Sequence, residues 1–363
     1  MSTDVPDSVL GLNPFEPGYY DDPYQQYAGL RENDPVHKSA FGPWLVSRWA
    51  DVHAILRRPG MSVEEDNASG ESRRQRLAEM VEGREVRKSQ AILNIDPPDH
   101  TRIRRLVSKA FTPRAVEHIR ARAGEMVDEI LDDLATREGP VDLVSELAFP
   151  LPFTVISEML GMPDGDRDQL RTWSHTVTQV LDPILAMQHT AEIFEAIDHM
   201  QQVVTDAIAW KRGRLDQDDD LLAALIRAED GGDVLSDGEL VENVVLLYLA
   251  GHETTVNLIS NGVNALLNHR DQLDRLATEP DLTTNAIEEL LRFDSPVQFS
   301  RRIALETFEF GEHTIEAGDF VMTCLGAANR DPRKFGSDAD QLDLGRADAR
   351  EHVSFGSGVH HCL

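Results

Sequence analysis

The sequence has only two cysteines, Cys324 and Cys362, well separated in a chain of 363 residues. Two thiols are too few for an iron–sulfur cluster, which takes four. They could close one disulfide, but an acidic chain without an export signal points to a reducing compartment, where disulfides are rare. Cationic residues are also short: 35 Lys and Arg stand against 64 Asp and Glu, a formal net charge of −29. That balance favours solubility and argues against nucleic acid as a partner. Long apolar runs are missing too. The stretch from Val244 to Ala250 falls far short of the ~20 residues a membrane span needs. The segment from Met1 to Tyr19 is acidic, with neither a basic nor an apolar leader region. The reading is therefore no signal peptide, no membrane anchor and a cytoplasmic location. Aromatic residues make up just 6%.

Helix formers fill the space. Leu, Ala, Glu and Arg dominate many segments, and 41% of the residues are apolar, enough for a large core. Length alone favours two domains. Trp44-Leu-Val-Ser47 reads as a strand and Trp49 to Arg58 as a helix. Residues 60 to 90 are polar and weakly periodic, as in a connector or lid. From His100 to about Leu221 the pattern is helical, punctuated by Pro113, Gly139-Pro140, Pro150 and Gly161-Met-Pro163. Ser236-Asp-Gly-Glu239 is a capping box, hydroxyl and carboxylate each taking an otherwise orphaned backbone N–H. The helix it opens is expected to reach Asn268, about 45–50 Å at 1.5 Å per residue, and its apolar surface calls for a core around it. A further helix is expected from Thr284 to Phe293, stopping before Pro296. Beyond Ser300, alternation predicts strands at Ile303–Phe310 and Thr314–Cys324, with Cys324 a buried core thiol.

Chemistry concentrates in four short runs. In Phe355-Gly-Ser-Gly-Val-His-His-Cys362, the glycines at 356 and 358 let the backbone turn tightly and approach a planar ligand. Amide N–H groups can then aim at the Cys362 sulfur, with Phe355 as an aromatic shield. This is no dinucleotide fingerprint, because His361 stands where a third glycine belongs. Ala250-Gly-His-Glu-Thr-Thr255 sits mid-helix, where Gly and consecutive Thr are weak helix formers. A Thr hydroxyl there can bond a carbonyl one turn back and bend or open the ladder; a polar helix–helix contact is the plainer reading. Val256 stands where the second His of a zinc-protease motif belongs, so His252 and Glu253 do not make one. Glu289 and Arg292 share a helix face, and spacing alone suggests an exposed salt bridge worth a few tenths of a kcal/mol. His100 and Arg104, four apart after Asp96-Pro-Pro-Asp99, project together, and a planar guanidinium suits a carboxylate. Arg102, Arg104, Arg105, Lys109, Arg114, Arg120 and Arg122 form a basic stretch in an acidic protein. It reads either as a docking surface for an acidic partner or as a solvated helix face.

The Cys362 run resembles the haem-binding loop of the cytochrome P450 superfamily, Phe-Gly-x-Gly-x-His/Arg-x-Cys-x-Gly. Phe355, Gly356, Gly358, His360 and Cys362 all match, and the last glycine falls beyond Leu363. The other three runs occur in the family's order, and Ala328-Asn-Arg-Asp-Pro332 matches a segment of its soluble bacterial members. Together they span about residues 96 to 362.

The resemblance implies a mainly α fold with small β-sheets (α+β), a triangular prism with a long central helix, as a single domain over residues 1–363. It implies haem b between that helix and the Cys362 loop, with Cys362 as thiolate ligand of the iron and Phe355 and Gly356 packing beside it. Ala250 and Gly251 would border the haem, Thr254 would act on bound oxygen, and Glu253 would connect it to a proton supply. His100, Arg104, Arg302 and His360 would hold the propionates, while Glu289 and Arg292, with a further downstream Arg, would lock the scaffold. The implied activity is hydroxylation of an apolar small molecule with O2. Nothing here binds flavin or an iron–sulfur cluster, so electrons would come from a ferredoxin and ferredoxin reductase or a similar donor. The alternatives are a haem-binding sensor or partner subunit that does not oxygenate, and an inactive fragment. The resemblance also leads one to expect a further helix and a closing sheet after Cys362, so the sequence reads as truncated, with weak haem retention. Substrate selection would fall to residues 60 to 95, 163 to 195, and Val297-Gln-Phe299.

Overall fold

The computed structural model describes residues 11–14, 16–40, 42–70, 79, 88–163, 167–179 and 188–363, with the backbone alone at 113–115, 118, 167 and 168. The chain opens with α1 (Tyr24–Asn33), β1 (Val36–Lys38), β2 (Trp44–Val46), α2 (Trp49–Arg57) and β3 (Met61–Ser62). Next come α3 (Asp99–Ala110), α4 (Pro113–Ala135), α5 (Pro150–Leu160), α6 (Arg167–Thr178), α7 (Thr190–Arg212) and α8 (Leu221–Arg227). A hairpin of β4 (Glu229–Asp230) and β5 (Asp233–Val234) precedes α9 (Asp237–Asn268). The remainder comprises α10 (Arg270–Thr278), α11 (Thr283–Phe293), β6 (Phe299–Ala304), β7 (Phe308–Phe310), β8 (His313–Ile315), β9 (Phe320–Cys324), α12 (Leu325–Asn329) and α13 (Pro332–Phe335). They fall into two compact units, Met1–Gly70 with Leu258–Leu363, and Glu71–Asn257. Among the described residues no helix is long and apolar enough to cross a membrane.

The first unit is organised by a mixed sheet in the order β1-β2-β9-β6-β3, parallel only between β2 and β9. Alternation along β2 feeds two cores: Val46 packs with Ile55, Ala304 and Val321, whereas Leu45 packs with Tyr27, Cys324 and Ala327. Each of the two strands expected beyond Ser300 is broken in two. Gly318, at φ +86°, turns the chain ahead of β9, and β7 and β8 pair with each other instead of joining the larger sheet. An alternating pattern cannot show such a break, because the period is the same on either side of it.

In the second unit, the capping box at the start of α9 forms as expected. Ser236 N donates to Glu239 Oε2 at 2.8 Å, and Glu239 N donates to Ser236 Oγ at 3.3 Å. The helix then holds for 32 residues, about 48 Å. α5 ends on Gly161 in the left-handed region, with Met162 N reaching back to Ser157 O at 3.0 Å. The expected connector at 60 to 90 lies partly outside the described residues (71–78 and 80–87), as do 164–166 and 180–187 of the expected selecting segment.

The basic stretch is not an open cationic surface. Arg102 pairs with Glu239, Arg105 with Asp230 and Asp233, Lys109 with Asp230, Arg120 with Glu117, and Arg122 with Glu125, Glu129 and Glu158. The side chain of Arg114 lies outside the described residues. Acidic groups from the β4–β5 hairpin and the start of α9 neutralise charges that look unopposed along the sequence.

Candidate active site

The candidate residues lie partly in each unit. In the first, the run after Val353 is shaped by its glycines. Gly356 and Gly358 have φ of +70° and +73°, conformations that a side chain would strain. A Cβ on Gly358 would lie 2.5 Å from Leu56 O at the end of α2, so only glycine lets the loop seat there. Cys362 N donates to Phe355 O at 3.0 Å and His361 N to Gly358 O at 3.1 Å, closing the loop on itself. Cys362 is exposed, as are Phe355 and Val359 of the same loop. His360 is half-buried in the turn between the second glycine and the cysteine.

Behind this loop lies a buried polar lock. Glu289 and Arg292 are both wholly buried, and their pairing is bidentate, at 2.7 and 2.8 Å. The remaining Arg292 N–H groups donate to Asn329 O and Ala339 O at 2.8 Å and to Gln341 O at 3.2 Å. Glu289 Oε1 also accepts from Asp343 N at 3.0 Å and from Arg346 Nε at 3.3 Å. The exposed salt bridge suggested by spacing is thus a buried node, and Arg346 is the further downstream arginine. Asn329 extends the node towards the cysteine loop. Its Nδ2 donates to Ser295 Oγ at 2.6 Å and Ser354 Oγ at 2.8 Å, and its Oδ1 accepts from Val353 N at 2.7 Å.

The tandem arginines on β6 separate cleanly. Arg301 pairs with Glu65, while Arg302 is buried, donating to Ser300 Oγ at 3.1 Å and Arg301 O at 2.8 Å. The Val297-Gln-Phe299 segment largely turns into the fold. Gln298 Nε2 donates to Ser295 O at 2.7 Å and Tyr24 Oη at 3.2 Å, and Phe299 meets Tyr27 edge-on at 5.9 Å.

In the second unit, Thr254 and Glu253 occupy one turn of α9 and are half-buried. Thr254 Oγ1 donates to Ala250 O at 2.9 Å and Thr255 Oγ1 to Gly251 O at 3.3 Å, the back-bonding expected of them, and the segment stays α-helical throughout. Gly251 is in tight quarters, since a Cβ there would meet Ile156 Cδ1 at 2.9 Å. On α3, His100 is buried and Arg104 half-buried. Burial lowers the pKa of His100 and the Arg104 charge, one turn on along the same helix, lowers it further.

Of the two cysteines, Cys324 is wholly buried with its thiol pushed up to about 12 by burial, which makes it inert. Cys362 is carried on a loop that its own hydrogen bonds fix, with its backbone N–H donating to Phe355 O. A thiol held on such a loop would serve as a thiolate ligand of haem iron. The class of protein it defines is the haem-thiolate enzymes.

Sequence comparison agrees: the chain belongs to the cytochrome P450 family, whose model, described as Cytochrome P450, matches residues 62–363. The chain is 41% identical to Cytochrome P450 107B1 of Saccharopolyspora erythraea over 99% of this chain and 86% of that protein. It is 42% identical to the Vitamin D(3) 25-hydroxylase of Pseudonocardia autotrophica over 96% of this chain and 83% of that protein. The crystal structure of CalO2 matches with a TM-score of 0.85 at 34% identity, covering 98% of this chain and 86% of that one. The protein is accordingly a haem b monooxygenase, mostly helical with small sheets, that takes electrons from a separate redox partner.

Proposed function

We propose that this monooxygenase hydroxylates a carbon–hydrogen bond of an apolar small molecule, with Cys362 as the iron's thiolate ligand and Thr254 and Glu253 managing protons. The observation that carries the reading is the Cys362 loop, turned by Gly356 and Gly358 and closed by the Cys362 N–H donating to Phe355 O. Haem b, when bound, supplies dioxygen activation and oxidation of the substrate, and thiolate ligation favours O–O cleavage. Phe355 and Gly356 shield and shape the thiolate side. His360, Arg302, His100 and Arg104 bind the propionates, supported by the buried settings of Arg302 and His100 and by the one-turn spacing of His100 and Arg104 along the same helix. Ala250 and Gly251 border the haem. The Thr254 hydroxyl, which donates to Ala250 O at 2.9 Å, would hold a proton at its Oγ1 on the haem side of α9, and Glu253 would replenish it. Glu289 and Arg292 act on the scaffold alone.

The whole of residues 1–363 works in this reading as one catalytic domain in the cytoplasm, with a ferredoxin and its reductase as the electron source. Similarity to a vitamin D(3) hydroxylase supports a steroid-like substrate over a polar one. Spectral shifts on titrating steroids, terpenoids, fatty acids and macrolides identify the substrate class. Thr254→Ala tests the proton role: substrate binding should persist while reducing equivalents are diverted to peroxide. Fully coupled turnover in that variant would reject it.

A further inference from the structure

His252 has no part in the chemistry proposed so far, yet it is the most enclosed residue of its turn. Both His252 and Ser174 of α6 are wholly buried. His252 Nδ1 lies 2.8 Å from Tyr248 O, which can only accept, so the neutral ring carries its proton on Nδ1 and presents Nε2 as an acceptor. Ser174 Oγ, 2.9 Å from Nε2, is then the donor. The rings of Phe149, Phe153 and Tyr248 stand edge-on around the imidazole at 5.7, 5.8 and 5.9 Å. Tyr248 is held in turn by Ser157 of α5, with the two hydroxyls 3.1 Å apart. Glu253 Oε2 lies 3.7 Å from the same Nε2 that Ser174 occupies.

We propose that His252 is a positioning residue that keeps Glu253 available for proton delivery, by taking its hydrogen bond from Ser174 and so binding this turn of α9 to α6. The inference rests on the proton role proposed for Glu253. While the Ser174 hydroxyl fills the Nε2 lone pair, the imidazole needs no second proton and makes no claim on the neighbouring carboxylate. Without that hydroxyl, Nε2 is a bare acceptor beside an anion. Protonating it satisfies both, since Nδ1–H stays on Tyr248 O while the Glu253 carboxylate, 3.7 Å away, closes on Nε2–H. The carboxylate is then captured in an ion pair. In that doubly protonated state of the wild-type ring, the Ser174 hydroxyl would turn to Arg171 O, 3.3 Å away. Ser174 and His252 thus form a contact with two alternative hydrogen-bond arrangements. The one drawn by the distances leaves Glu253 to act.

The test is Ser174→Ala in the haem-loaded enzyme, with Ser174→Thr restoring a hydroxyl. Histidine 15N spectra of the diamagnetic ferrous carbonyl form read the ring directly. His252 should show an unprotonated Nε2 in the parent and a protonated one in Ser174→Ala. The fraction of electrons recovered in product should fall roughly three- to tenfold in Ser174→Ala, part of the ~10²–10⁴ that a positioned proton-transfer group is worth. Substrate affinity should stay the same, and Ser174→Thr should recover the coupling. An unprotonated Nε2 in Ser174→Ala, or unchanged coupling there, would overturn the proposal. Glu253→Gln separates the two layers. If it uncouples while Ser174→Ala does not, the His252 role alone fails; if it stays coupled, the Glu253 role beneath it fails.

Discussion

Replacing Arg292 with Ala probes the buried polar node around Glu289. The substitution deletes both bonds to Glu289, at 2.7 and 2.8 Å, and strands the carbonyls of Asn329, Ala339 and Gln341. Glu289 keeps the Asp343 N–H and Arg346, but remains a wholly buried carboxylate without its bidentate partner. Removing one member of a buried ion pair costs about 3–5 kcal/mol, because the other charge is left in a poor solvent. An exposed pair at the same spacing would be worth about 0.2–0.5 kcal/mol. The two readings differ roughly tenfold, and the larger is a substantial share of a typical folding stability of ~5–15 kcal/mol. Urea unfolding followed by circular dichroism should show the larger loss, with haem content per chain falling alongside. Arg292→Lys should recover little, since an ammonium cannot span a bidentate carboxylate and three carbonyls. A loss below about 1 kcal/mol in Arg292→Ala, the range of surface pairs, would refute the reasoning.

Ser236→Ala should cost about 1 kcal/mol by removing the cap of α9, read as a lower unfolding midpoint, and no change would deny that the box forms in solution. Gly358→Ala must adopt φ +73° and push against Leu56 O, so thiolate ligation should weaken, seen as a shifted Soret band of the reduced carbonyl form; a parent-like spectrum would contradict it. Stability should also fall on acidification through the histidine range. Burial pulls the pKa of His252 below 6.5, so below that value the unfolded chain binds more protons at this residue than the folded one. Its contribution is complete above about pH 6.5 and is lost as pH drops towards the folded value. His252→Asn should flatten that slope in unfolding midpoints measured from about pH 7.5 to pH 5, and an unchanged slope would count against it.

Local signals carried much of the fold and of the site. Ser236 and Glu239 announce the start of α9 because a capping box needs only neighbours in sequence. The cysteine loop was legible for the same reason: its glycines, its aromatic and its thiol all lie within eight residues. What stayed hidden depended on residues far away. Glu289 and Arg292 have the same spacing whether exposed or buried, and only the segment from Asn329 to Arg346 closes over them. The basic stretch looked open because Asp230, Asp233 and Glu239 come more than a hundred residues later, with separations of 121, 128 and 137 at the closest hydrogen bonds. The contacts of Gln298 with Tyr24 and of Phe299 with Tyr27 on α1 were hidden for the same reason. The enclosure of His252 likewise depends on α5 and α6, whose sequences say nothing of where they pack.

The central claim is that Cys362 ligates the haem iron as a thiolate, and its most direct test is the reduced carbonyl spectrum of Cys362→Ser. The long-wavelength Soret band seen in the parent should be abolished in the variant. An unchanged band in Cys362→Ser would contradict the account at its root.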